Sequence, residues 1–395
     1  MNITKKRKYP DIPLLITTLL LMGIGIVMVY SASAFVASQK FDSPHFFLKR
    51  QIVRAALGLL VMTAVMHFDY KYFKKLAKPL LIISVLFLTL TIIPGIGGRS
   101  AEVTNANRWI HFFSLTFQPA ELVKLALVMY LAESLVRKRE HIKDFSKGFL
   151  PLLLVIGLVF FVLILQPSFG AAVLIATISF TLLFVGGVNI LHMALIALGS
   201  FPVLYYLIIN AEYRYERWKT FIGMNPDPLE EGYHIKQSLI ALGSGKVFGL
   251  GLGQSKQKLF FLPEPHTDFI FSIIGEELGF IGAFLMLSIF LFFAWRGIII
   301  AKNAPDRFGF YLAFGLTLTI FLSAVVNIGV ATKLLPTTGL PLPFISYGGS
   351  SLLFALTSVG ILLNISKHQV VETQKRYVNT RVKSTFMEKQ RHART

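Results

Sequence analysis

Between Phe149 and Ile209 the chain carries no Asp, Glu, Lys or Arg. A soluble domain has no place for so long an uncharged run, whereas the hydrocarbon interior of a bilayer requires one. Backbone amides there find partners only inside a helix, and one crossing takes roughly 20 apolar residues. Three crossings fit the run if Gln166-Pro167 and Gly186-Gly187 make the turns. With the flanking apolar segments, ten spans are predicted, near Ile12–Phe35, Ile52–Phe68, Pro79–Pro94, Pro119–Val136, Phe149–Leu165, Ala171–Gly186, Ile190–Ile209, Phe269–Trp295, Phe308–Ala331 and Tyr347–Ile365. The predicted fold class is an all-α polytopic membrane protein with about ten transmembrane helices. Two crossings in place of three across 149–209 would reverse the sidedness of everything downstream.

Charge chooses between those readings. With ten spans, one side collects Lys5-Lys6-Arg7-Lys8, then Lys71, Lys74, Lys75 and Lys78, then Arg137-Lys138-Arg139 with Lys143 and Lys147, then Arg296, Lys302 and the tail. The short loops opposite hold only a few bases, such as Lys40, Lys49, Arg50, Arg99 and Arg108. Cytoplasmic loops are the basic ones, so the N and C termini are predicted cytoplasmic and the connection between spans 7 and 8 extracytoplasmic. The net charge of +19 then reflects anionic lipid, and no nucleic acid is called for. The chain divides into a cytoplasmic N-terminus (1–11), a transmembrane domain (12–366) with its outer loop (210–268), and a basic tail (367–395) polar enough to be disordered. Ala32-Ser33-Ala34 imitates a signal-peptidase site, but the apolar run before it exceeds the roughly 7–15 residues of a signal core, so the first helix is read as uncleaved. The lack of cysteine excludes disulfides, thiolate metal sites and thiol nucleophiles.

The outer loop, about Asn210 to Thr267, far exceeds the other connections, and long loops of this kind are usually functional. Its start, Tyr213-Arg214-Tyr215-Glu216-Arg217-Trp218, interleaves cations and aromatics, suited to a sugar, phosphate or lipid head group, or equally to an interfacial belt with snorkelling bases. Gln237 to Gly245 reads as apolar residues followed by glycines, a pattern that fits a re-entrant segment. Gly243-Ser244-Gly245-Lys246 imitates a phosphate loop, but Val247 stands where Ser or Thr is needed, and the glycines of 243–253 are read as packing onto helices. Asp268 ends the loop at the threshold of an apolar helix, where it is either a functional carboxylate or a helix cap. Ionisable groups within spans are costly and mark candidates: Glu121 with Lys124, one turn apart, and Glu276-Glu277. Lys333, Pro336 to Gly339 and Ser346 to Ser351, including Ser350, form a polar approach to the last span. No metal-ligand run occurs among the scattered histidines, so any metal is a loosely held hard cation such as Mg2+ or Mn2+, and no cofactor is otherwise indicated.

Several strings converge on one family: Val29-Tyr30-Ser31-Ala32-Ser33, Arg50-Gln51, Asn107-Arg108-Trp109-Ile110, Phe117 to Lys124, Leu262 to Asp268 with Glu276-Glu277-Leu278-Gly279-Phe280, and Pro336 to Ser351. From about Gly25 to Ile365 the chain resembles the shape, elongation, division and sporulation family of bacterial cell-wall polymerases, which includes FtsW and RodA. That resemblance implies peptidoglycan glycosyltransfer on the outer face of the cytoplasmic membrane, with lipid II as substrate. Asp268 falls on the family's catalytic aspartate. Arg50, Arg108 and Lys124 match positions tied to activity, with Lys124 paired to Glu121. Arg214, Arg217, Lys333 and Ser350 join them as candidate contacts to substrate or diphosphate, and Glu277 as a structural carboxylate. Pro265 and the Glu-Leu-Gly-Phe-Ile-Gly run resemble the division branch, implying a septal location and, as partners, a class B penicillin-binding transpeptidase and other division-complex membrane proteins. Two departures stand out: Ser168 occupies the turn position where the family usually has Asp, and His234 a position often Gln. A RodA-type polymerase for cell elongation is the alternative within the family, and a lipid II flippase and a non-catalytic scaffold are the alternatives from other classes.

Overall fold

A computed structural model describes residues 5–6, 9–93, 97–99, 107–112, 115–224, 231–259 and 261–371. Helices dominate: α1 (Ile12–Phe41), α2 (Phe46–His67), α3 (Lys71–Leu90), α4 (Pro119–Arg137), α5 (Leu150–Leu165), α6 (Phe169–Val185), α7 (Ile190–Ile209), α8 (Glu212–Ile222), α9 (Glu231–Ser244), α10 (Ile270–Lys302), α11 (Arg307–Ala331) and α12 (Gly349–Lys367). Each of the ten apolar segments overlaps a helix, although α3 begins eight residues before the predicted Pro79–Pro94, whose last residue lies outside those described; the uncharged run from Phe149 to Ile209 forms three helices, α5 to α7, turning at Gln166-Pro167 and Gly186-Gly187. Among the described residues six helices are long and apolar enough to cross a membrane, α1, α5 with the turn before it, α7, α10, α11 and α12. Of the rest, α6 is shorter, while α2, α3 and α4 carry bases or carboxylates within them, among them Arg54, Lys78 and Glu121.

Sequence chemistry explains the helix starts. Asp11 caps α1 by accepting from Leu14 N at 3.1 Å, and Asp306 caps α11 by accepting from Gly309 N at 2.7 Å. Asp11 also meets Arg296 of α10, and its backbone N–H donates to Ser366 Oγ of α12 at 2.9 Å. Tyr70, before α3, donates to Asp306 at 2.8 Å, and the carboxylate beside it, after burial, raises the phenol pKa. These contacts bring both ends of the helical chain to one end of the bundle, where strand β1 (Lys5–Lys6) pairs antiparallel with β5 (Val370–Val371). Between α3 and α4 an antiparallel sheet, β2 (Gly97–Arg99), β3 (Asn107–Phe112) and β4 (Leu115–Phe117), lies where the sequence suggested only a short loop.

The long connection after α7 is built rather than loose. It holds α8 and α9, and its glycine-rich segment is stitched into a break in α10. At Gly279 the helix leaves helical geometry (φ 69, ψ −167), which only glycine adopts readily. Loop residues take up two carbonyls before the break and two amides after it. Glu276 O and Glu277 O accept from Leu250 N and Gly251 N, each at 3.0 Å, while Phe280 N and Ile281 N donate to Lys246 O and Val247 O at 2.9 and 3.2 Å. These four groups, which an unbroken helix would pair with one another, thus find partners in the loop. The glycines therefore pack the loop onto a helix, as the sequence suggested.

Two buried carboxylates secure the stitch. Glu277 is 0% exposed and pairs with Lys258 Nζ at 2.8 Å, while Ser31 of α1 donates to it at 2.7 Å. Glu276 accepts from the Ser255 hydroxyl and from Lys256 N at 2.9 Å. A buried charge without such partners would cost several kcal/mol, roughly 3–5 when one partner is removed.

Candidate functional site

Asp268 lies half-buried where the outer loop re-enters the bundle. The capping position of α10 falls one residue later, on Phe269, which makes no side-chain cap. Facing the Asp268 carboxylate is the segment Pro336–Leu340: a Cβ built on Gly339 would stand 3.6 Å from Asp268 Oδ2. This wall is pinned from two directions. Gly170 of α6 touches it so closely that an added Cβ would fall 2.6 Å from Thr338 Cβ, and Arg217 of α8 donates to Thr337 O at 3.4 Å.

Cations gather around this carboxylate. Arg108 of β3 donates to Gln166 O at 3.4 Å and to Pro167 O, at the α5–α6 turn. Burial and then the neighbouring Arg217 charge lower the Arg108 pKa, while Tyr213 and Asp268 oppose that shift. A guanidinium remains charged through such a shift, so two cations and one carboxylate act on one another across the site. Ser168 supplies no carboxylate at that turn, and Arg108 takes backbone carbonyls there. Arg214 is used differently: it donates to Tyr213 Oη at 2.7 Å, Leu207 O at 3.0 Å and Ile164 O at 3.3 Å, tying α8 to α7 and α5. The Tyr213 ring lies 5.8 Å below the Arg217 guanidinium. His234 stacks on Phe269 with ring centroids 6.0 Å apart, next to Asp268 in sequence.

Behind the wall lies a small cavity of about 30 Å³ lined by Glu121 and Lys124 of α4, Thr319 and Ser323 of α11, Leu340 and Ser351. Glu121 and Lys124 pair at 2.6 Å, both nearly buried. The pair therefore lines a cavity whose wall includes Leu340, the residue after Gly339. Ser350 is engaged elsewhere, accepting from Gln118 N at 2.9 Å and donating to Thr116 O at 3.4 Å, which docks the start of α12 on the entry to α4. Arg50 stacks over Phe46 at 4.1 Å. Lys333 sits half-buried just after α11 with a left-handed backbone (φ 58). The structure thus groups Asp268, Arg108 and Arg217, sets Glu121 and Lys124 behind them, gives Arg50, Arg214, Ser350 and Glu277 other contacts, and does not bring Lys333 into the group.

Sequence reading passed over several residues. Arg54 lies within α2, 4.5 Å from the Tyr347 ring, and would come within 3.1 Å of a Cβ on Gly349 at the start of α12. Its signal was available, a base inside an apolar span. Lys258 gave none, since only the fold brings it to Glu277. His266 is buried against Phe47, and burial, then the Lys40 charge, lower its pKa to about 4. Among the described residues no group of three or more His, Cys, Asp or Glu side chains could hold a metal ion.

Comparison with known proteins places these residues in context. The family model FTSW_RODA_SPOVE, described as cell cycle protein, matches residues 12–371. A probable peptidoglycan glycosyltransferase FtsW from Geobacter sp. (strain M18) is 45% identical over 90% of this chain and 96% of that protein. Stage V sporulation protein E of Bacillus subtilis (strain 168) is 43% identical over 93% and 99%. Among solved structures, a chain of a peptidoglycan synthase complex, studied for the coordination of polymerization and crosslinking, superposes with a TM-score of 0.74 at 28% identity, covering 91% of this chain and 98% of that one.

Proposed function

Because this chain belongs to the FTSW_RODA_SPOVE family of cell cycle proteins, we propose that it is a peptidoglycan glycosyltransferase that polymerises lipid II into glycan strands. The observation that carries this reading is the Asp268 carboxylate set against the Gly339 wall, within electrostatic reach of Arg108 and its neighbour Arg217. One base beside a cluster of cations suits a displacement in which a hydroxyl attacks and a diphosphate leaves.

In this reaction Asp268 accepts the proton of the acceptor's sugar C4 hydroxyl as that oxygen bonds to the anomeric carbon of the donor. The bond from that carbon to the diphosphate breaks in the same step, so the configuration inverts. The electron pair leaves with undecaprenyl diphosphate, whose charge Arg108, Arg217 and Lys124 offset. No step is assigned to a metal ion. Ten spans, cytoplasmic termini and an outer 210–268 loop place this site on the face that lipid II reaches without nucleotide. The pairing of β1 with β5 and of Asp11 with Ser366 supports an even number of crossings between them.

The matched synthase complex supports a class B penicillin-binding transpeptidase as partner, and the FtsW relatives support work at the division septum of the cytoplasmic membrane. The near-equal identity to stage V sporulation protein E favours a sporulation role as the second reading. Purified chain with its transpeptidase partner is expected to convert lipid II into polymer, and Asp268→Ala to abolish it. Full polymerisation by Asp268→Ala removes the base assignment, and lipid II scrambling without polymer makes the protein a transporter. Arrested septation on depletion separates division from sporulation.

A further inference from the structure

His266, Thr267 and Asp268 expose three consecutive backbone carbonyls, and each accepts from a residue far along the chain. Tyr347 N donates to His266 O at 2.8 Å, Ser346 Oγ to Thr267 O at 2.6 Å, and Asn327 Nδ2 to Asp268 O at 2.9 Å. The same Asn327 nitrogen gives its second hydrogen to Leu340 O at 2.8 Å, next to the Gly339 that faces the Asp268 carboxylate. Ser346 Oγ in turn accepts from Leu342 N at 2.8 Å. Two side chains thereby fasten the backbone that carries Asp268 to the wall in front of it.

Asn327 is a costly residue for this position if stability alone mattered. It is 1% exposed within α11, and its Oδ1 has no hydrogen-bond partner among the described residues. Leaving such an oxygen bare costs about 1–3 kcal/mol. Turning the amide over would set that oxygen against two carbonyls, so both neighbours demand the nitrogen where it stands. What the amide provides is a fixed spacing between two backbone segments, and those segments frame the carboxylate. Since α10 has no side-chain cap to orient its first residues, this spacing is not supplied from within the helix itself.

We propose that Asn327 and Ser346 are positioning residues that clasp the His266–Asp268 backbone to the 340–342 segment and so set the Asp268 carboxylate at working distance from the acceptor hydroxyl. The proposal rests on Asp268 as the base. Misplacement of a catalytic group by about 1 Å costs on the order of 100-fold in rate, because the reacting atoms no longer meet in line. Neither side chain touches substrate in this scheme, so the loss falls on kcat.

The test uses full-length protein with its transpeptidase partner and purified lipid II, comparing wild type, Asn327→Leu, Ser346→Ala and Asp268→Ala. Rates are normalised to the folded fraction, measured by size-exclusion chromatography and melting. The expected result is a kcat lowered about 10- to 100-fold in both clasp variants with KM within about threefold of wild type. Wild-type kcat per folded molecule in both, with Asp268→Ala inactive, overturns the clasp and leaves the base assignment standing. A change confined to KM likewise overturns it. Activity in Asp268→Ala overturns the base and the clasp together. If Asn327→Leu does not fold, Ser346→Ala alone decides by the same criteria.

Discussion

Replacing Gly249 by Ala tests whether the stitch into α10 holds the outer loop. Gly249 has φ +82, and a Cβ there would fall 2.2 Å from Glu277 O, 2.5 Å from Glu277 C and 2.7 Å from Gly279 N. Two costs add. The left-handed backbone costs an L residue roughly 1–2 kcal/mol. Relief of the clash requires the loop to retreat by about 1 Å, since a carbon and a carbonyl oxygen approach no closer than about 3.3 Å in the closest ordinary contacts. That movement stretches the bonds from Leu250 N to Glu276 O and from Gly251 N to Glu277 O, now 3.0 Å, beyond bonding distance. The two buried carbonyls so stranded, Glu276 O and Glu277 O, cost about 1–3 kcal/mol each, so the total is about 3–8 kcal/mol. Gly253→Ala is the control, because Gly253 also has positive φ (+81) but open space around its Cβ. It should show the backbone cost alone. Melting of both purified variants in the same detergent, followed by intrinsic fluorescence, is expected to put Gly249→Ala several degrees below Gly253→Ala, with the outer loop cleaved faster by protease. Equal melting of the two would refute the stitch as a source of stability.

Two further outcomes follow from buried groups. Lys258→Met leaves the Glu277 charge buried without its cation and should lower stability by about 3–5 kcal/mol, while Lys258→Met with Glu277→Gln should recover most of it, read as melting midpoints. His266 titrates near 4 in the folded chain, against an ordinary 6.5, so the unfolded chain takes up the proton first. Its contribution is complete above about pH 6.5, declines as pH falls and is gone below about pH 4, amounting to roughly 3 kcal/mol at most. The melting midpoint should therefore fall more steeply between pH 6.5 and 4 in wild type than in His266→Phe, and parallel curves would count against the burial argument.

The helical frame was legible because spans announce themselves by length and charge. Ile190–Ile209 was placed to the residue, since Asn189 before it and Asn210 after it interrupt the apolar run. Asp268 was legible as a lone carboxylate at the edge of an apolar helix. The break at Gly279 was not, because a glycine within an apolar helix looks the same whether or not a distant loop comes to satisfy the freed amides. The small sheet β2–β4 was missed because its strands are three to six residues long, too short to establish an alternating pattern. Asn327 was invisible for a related reason: a single amide among apolar residues gives no hint of the two carbonyls it meets. Arg214 and Arg217, three residues apart in one cation-rich run, serve different ends because α8 points one at the α5 and α7 carbonyls and the other at the wall by Asp268.

The stitch also makes the bend and the loop depend on each other. Without residues 246–251 in place nothing rewards α10 for bending, since an unbroken helix through Gly279 would pair Phe280 N with Glu276 O and Ile281 N with Glu277 O by itself. The elbow is therefore held only while the loop claims those four groups. Whatever loosens residues 246–251 lets α10 straighten, and a straightened α10 gives the loop that ends at Asp268 nothing to rest on.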